Sequence, residues 1–193
     1  MRLGLFGVIF GVGCVPVLTS PDGGGSAGPW EAPVNAWPMG APPEGLEGEG
    51  FGAGEVVPEF RLTDQVGDTV SLWQFYGMVV IVDVSTGWCG PCQQLAAEAQ
   101  AMADDYRDDG LMYVTVMPQD AQYNIPETDD LVDWGEAFDL AEPILADDAG
   151  WSAQAVPGDD FPGVFLVDRE MKMVGRVEPS TDETIRGAIE GAL

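Results

Sequence analysis

The stretch MVVIVDVSTGWCGPCQQL, residues 78–95, constrains the fold more than any other part of the chain. Residues 78–84 are a near-continuous apolar run, the pattern of a strand buried on both faces. A short turn follows. Cys-Gly-Pro-Cys then opens a segment in which Leu95, Ala99, Met102 and Tyr106 recur at helical spacing and which stops near Gly110. This order sets Cys89 at or just before a helix N-terminus, where unpaired backbone N–H groups and the helix dipole stabilise an anion. A cysteine pKa of about 8.5 falls to about 7 or lower in such a place. Cys92 lies one turn further in and is less exposed. Pro91 is tolerated in a first helical turn, where its missing N–H costs little. On this reading Cys89 attacks a substrate disulfide and Cys92 resolves the mixed disulfide.

Other readings of the pair are weak. The 193 residues include no histidine, so a Ser-His-Asp triad, a Cys-His protease pair and any histidine-based metal site are excluded. Structural zinc takes about four ligands; Cys89 and Cys92 supply two, and the third cysteine, Cys14, is remote. A copper chaperone would need a histidine beside its cysteines. Met171 and Met173 fit core packing better than copper. An inert staple closing so short a loop would stabilise little. No metal and no cofactor is therefore expected.

The charge balance bears on partners. Seven basic residues face 33 acidic ones, for a net charge of −26. Nucleic acid and anionic lipid headgroups would be repelled, and basic or neutral partners are favoured. A high-salt habitat is a further reading of this acidity, since Lys172 is the sole lysine.

Along the chain, one Arg precedes an apolar run from Leu3 to Val12, shorter than the roughly 20 residues of a membrane-spanning helix. It has the length and flank of a signal peptide. Its end, GVGC, resembles a lipobox, which implies a signal peptide over 1–13 and lipidation at Cys14; Gly11, where Leu is usual, departs from that pattern. An ordinary secretion signal cleaved near Ser26 or Ala27 is the alternative. Residues 14–54, rich in Pro, Gly and acid, read as a linker in which Trp30 and Trp37 are incidental or weakly packed.

A domain over 55–193 follows. Strands are expected at EFRLTD, TVSLW, 78–84, 111–117, 163–168 and 172–178. A helix marked by Leu131, Trp134 and Phe138 is opened by Thr128 or Asp129. A last helix is capped by Ser180 with Glu183, ahead of Ile185, Ala188 and Ile189. Strands alternating with helices imply an α/β sandwich.

VDVSTGWCGPC resembles the active-site segment of thioredoxins. TDQVGDTVSLWQFYGMVVIVDV and FPGVFLVDRE are similar to the corresponding stretches of tethered thiol–disulfide oxidoreductases of the TlpA/ResA type. The resemblance covers about residues 55–190. It implies a thioredoxin fold, a central mixed β-sheet flanked by helices on both faces, and a Cys89–Cys92 disulfide. It also implies that Asp83, six residues before Cys89, is the buried acid that assists proton removal from the inner thiol, and that Pro162 is the cis-proline opposite the disulfide. Trp88, Gly90, Pro91, Phe161 and Pro162 would contact the substrate chain. Phe161 stands where Thr, Val or Ile is more usual, and Gly163 where Thr is usual.

The implied activity is reduction of disulfides in cell-envelope proteins, apocytochrome c among them. An upstream membrane thiol reductase would supply electrons, and the membrane would be met only through the lipid anchor, facing the periplasm. Gly90-Pro91 resembles the dipeptide of reducing members. Two rivals stay open: a peroxiredoxin-like thiol peroxidase, against which GWCGPC argues, and a non-catalytic binding or redox-sensing domain.

Overall fold

The computed structural model describes residues 30–158 and 160–193. Cys14 and the expected signal peptide lie outside them. The strands are β1 (Arg61–Asp64), β2 (Thr69–Ser71), β3 (Val79–Val84), β4 (Leu111–Met117), β5 (Ile144–Ala146), β6 (Gly163–Val167) and β7 (Met173–Arg176). The helices are α1 (Gly90–Tyr106), α2 (Thr128–Phe138), α3 (Trp151–Ala155) and α4 (Asp182–Ala192). The strands form one mixed sheet in the order β2-β1-β5-β4-β3-β6-β7. Every residue of β3 and β4 is buried, as their unbroken apolar runs require.

β3, β4 and β5 are parallel, and the chain moves the same way across the sheet at both crossovers. Right-handed crossovers then set α1 and α2 on one face. Val79 and Ile81 of β3 pack there with Leu95, Ala99 and Met102 of α1 and Ile185 and Ile189 of α4. Among the described residues, no long helix lies on the opposite face, which carries Val80, Val82 and Val84. That face is covered by a 3-10 turn (Leu72–Phe75), the short α3, and residues of the N-terminal segment.

That segment corrects the linker expectation for residues 30–54. Trp30, Trp37, Leu46 and Phe51 pack against this core. The Trp30 indole N–H donates to Glu59 and Ser71 (3.0 and 3.1 Å), and that of Trp37 to buried Asp64 (2.7 Å). Gly54 N–H bonds Met173 O, and Val56 bridges Lys172. The apolar side chains lack a period but meet a sheet face that would otherwise be wet.

Smaller differences are local. TVSLW is a strand only to Ser71. α2 is capped by Glu127, whose N–H bonds Asp130. α4 is capped by Thr181 rather than Ser180, because the Ser180 hydroxyl donates to Val177 O. Met171 and Met173 are buried in the core.

Candidate active site

Cys89 is the N-cap of α1, and Pro91 lies in its first turn. Cys89 and Cys92 are joined in a disulfide, and Cys92 N–H donates to Cys89 Sγ (3.2 Å). Cys92 is fully buried, Cys89 is nearly so, and Gly90 and Pro91 are exposed in front of them. Both cysteines are buried; what sets them apart is their place on the helix, Cys89 as its N-cap and Cys92 in its first turn. Once reduced, a Cys89 thiolate would face the N–H groups of the α1 terminus.

Asp83 is buried near the end of β3, between Thr115 of β4 and Val164 of β6. Alternation along the strand turns it, with Val79 and Ile81, toward the face that α1 covers. The Ser85 hydroxyl donates to Asp83 Oδ1 (2.7 Å) and the Tyr113 hydroxyl to Oδ2 (3.1 Å). Burial raises its pKa from 3.8 to about 6, against the lowering effect of these two bonds. Burial and the adjacent Asp83 charge push the Tyr113 phenol well up.

The Phe161–Pro162 peptide is cis, as the resemblance implies, and the Glu178–Pro179 peptide is cis as well. Phe161 and Trp88 meet edge to face at 6.1 Å, and both pack on the cluster that holds the cysteines. Trp88 also stacks on Tyr123 (5.2 Å, 22°) and donates through its indole N–H to Gln119 (2.9 Å).

Gln119 and Tyr123 were not singled out from sequence. They lie in the loop after β4, at the strand ends where open α/β sheets carry their sites. Asp120 shapes that loop. Burial alone would raise its pKa, but N–H groups of Asn124 and Gln122 hold it below its ordinary value. A Cβ on Gly87 would come within 2.6 Å of Ala121 N, so glycine is what lets the loop close on the turn before Trp88.

Residues 53–176, more than half of the chain, match the AhpC/TSA family. The chain belongs to the AhpC/TSA family. Among curated members of related sequence, the thiol–disulfide oxidoreductase ResA of Bacillus thuringiensis subsp. konkukian is 26% identical over 126 residues, 65% of this chain and 69% of that protein. The thioredoxin-like protein YneN of Bacillus subtilis is 29% identical over 121 residues, 63% and 68% of the two chains. A solved structure of a thiol:disulfide interchange protein DsbE from Chlorobium tepidum superposes with a TM-score of 0.62 at 25% identity, covering 74% of this chain and 98% of its own. The fold is that of thioredoxin domains, and this AhpC/TSA member is a TlpA/ResA-type thiol–disulfide oxidoreductase.

Proposed function

We propose that the chain reduces disulfides of cell-envelope proteins, cycling between a Cys89/Cys92 dithiol and the disulfide. The placement of the two residues carries this reading: Cys89 caps the N-terminus of α1, where backbone N–H groups favour its thiolate, and Cys92 is fully buried in the first turn behind it. The Cys89 thiolate attacks one sulfur of the substrate disulfide, whose S–S bond breaks and releases one cysteine thiolate. Asp83 takes the Cys92 proton. The Cys92 thiolate then attacks Cys89 Sγ, forming the intramolecular disulfide and releasing the second substrate thiolate. Two electrons have moved to the substrate, and an upstream dithiol, in a membrane reductase, restores the pair.

The apolar run Leu3–Val12 and the GVGC sequence support export with a lipid anchor at Cys14, facing the periplasm. Apocytochrome c cysteines are one candidate substrate. Among the described residues no helix is long and apolar enough to cross a membrane. The deciding measurement is the reduction potential of the pair against glutathione. A value near the roughly −270 mV of thioredoxin supports a reductase, and one near about −120 mV reverses the direction of electron flow.

A further inference from the structure

Beside the disulfide lies a groove of about 720 Å³, lined by Pro91 and Leu95 of α1, by Phe161–Pro162, and by residues 178–182. Three separate segments of chain therefore border it, and one side chain ties two of them together. Arg176, at the end of β7, donates from Nη2 to the backbone carbonyl of Asp160 (2.8 Å) and to its carboxylate (3.1 Å). Its Nε lies 2.9 Å from Glu178 Oε1, an ion pair without hydrogen-bond alignment. Asp160 is two residues ahead of Pro162, and Glu178 immediately precedes Pro179.

Stability does not explain this arrangement. Asp160 and Glu178 side chains are 76% and 62% exposed, and such pairs contribute about 0–1 kcal/mol. What the guanidinium does supply is geometry. Its planar fork reaches in two directions at once, which an ammonium cannot reproduce. The bond to the Asp160 carbonyl fixes main chain rather than a mobile side chain. Phe161, the next residue, is thereby kept against Trp88, which partly covers the disulfide cluster.

We propose that Arg176 is a positioning residue: it ties the 160–162 border of the groove to the 178–182 border and so sets its shape for an extended polypeptide running away from the substrate cysteine. The enzyme then discriminates protein disulfides from small ones by this groove, not by the reactivity of Cys89. The inference rests on Cys89–Cys92 being the redox couple, and its test separates the two.

Reduced full-length protein is mixed with excess insulin or with 4,4′-dithiodipyridine, a neutral disulfide with no chain to lie in the groove, and its oxidation is followed by tryptophan fluorescence. For Arg176→Met the insulin concentration giving half-maximal rate rises about tenfold, the cost of losing one charge-assisted contact. The maximal rate and the dithiodipyridine rate stay within about twofold, since no reacting group has moved. Arg176→Lys restores less than half of the insulin loss. Glu178→Gln, a change at an exposed carboxylate that leaves the fold intact, shifts insulin about two- to threefold in the same direction. Equal losses on both substrates, or no loss on either, overturn the proposal. Wild type that reacts with neither substrate overturns the redox assignment instead, and the proposal with it.

Discussion

A Cβ added to Gly163 would overlap the Cγ2 methyl of Val156. Val156 is itself buried in the core beside Val80, Val82 and Val84, so the methyl has no room to retreat. Where relatives of the TlpA/ResA type usually carry Thr after the proline, this chain gives that volume to the segment following α3. Gly163→Ala should lose about 1–3 kcal/mol in urea unfolding through overpacking. Adding Val156→Ala should recover at least half of that loss relative to the Val156→Ala parent. Costs that simply add would show that the two sites do not share the space.

The different places of the two cysteines on α1 separate their variants. Cys89→Ser removes the attacking atom, and insulin reduction should fall to the background of dithiothreitol alone. Cys92→Ser leaves the attack intact but removes the resolving thiol. It should accumulate mixed disulfides with substrate, seen as a mass increase that reductant reverses. Turnover in Cys89→Ser equal to wild type would sink the assignment.

Asp83 gives a pH dependence with a definite sign. Its pKa is raised on folding from 3.8 to about 6, so the folded state favours the neutral acid. Below pH 3.8 the group is protonated in both states and costs nothing. As pH rises through 6 the folded chain must hold a buried charge, and a stability penalty of roughly 3 kcal/mol is then complete. Asp83→Asn should therefore gain stability relative to wild type between pH 4.5 and 7.5, measured by urea unfolding of the oxidised protein. The same variant should slow resolution of the mixed disulfide and lose the limb of its pH profile near pH 6. A pH-independent stability difference would mean that Asp83 is solvated.

Much of this site is legible in sequence because its parts are local. Strand, turn and Cys-x-x-Cys helix are consecutive, so Cys89, Cys92 and Asp83 are fixed by one run of residues. The 111–117 run is itself the observed β4. Features made by tertiary packing are not legible in that way. β5 has only three residues and α3 five, too few to show a period. Tyr123 and Gln119 sit in an aperiodic loop, and their relation to Trp88 exists only after β4 has paired with β3. Arg176 reads as an ordinary strand-end cation until Asp160 and Glu178 are brought beside it.

Gly87 tests whether the loop after β4 belongs to the site. A side chain there would push against backbone at Asp120 and Ala121, which cannot swing away as a side-chain tip would. Gly87→Ala should detach Tyr123 from Trp88 and shift the tryptophan emission of the oxidised protein to the red. Tyr123→Ala should produce the same shift with no loss of stability beyond about 1 kcal/mol, since Tyr123 is 65% exposed. An unchanged spectrum in both would show that the stack does not persist in solution.

The N-terminal segment carries a stability claim that follows from the handedness of the crossovers. With α1 and α2 on the same face, Val80, Val82 and Val84 need other cover, and Trp30, Trp37, Leu46 and Phe51 provide part of it. Trp37 is the most diagnostic, because its indole N–H serves the buried Asp64 carboxylate, which also takes the N–H groups of Val66 and Asp68. Trp37→Phe keeps most of the apolar contact and deletes that donor alone. It should cost about 1–3 kcal/mol, the price of leaving a buried carboxylate short of a partner. Asp64→Asn, which lowers the charge that needs satisfying, should reduce the effect of Trp37→Phe by at least half in a double-mutant cycle. A chain beginning at Glu55 should unfold at markedly lower urea than one beginning at Trp30, with a smaller dependence on denaturant because less apolar surface is buried. Identical unfolding curves for those two chains would return residues 30–54 to the role of a free tether.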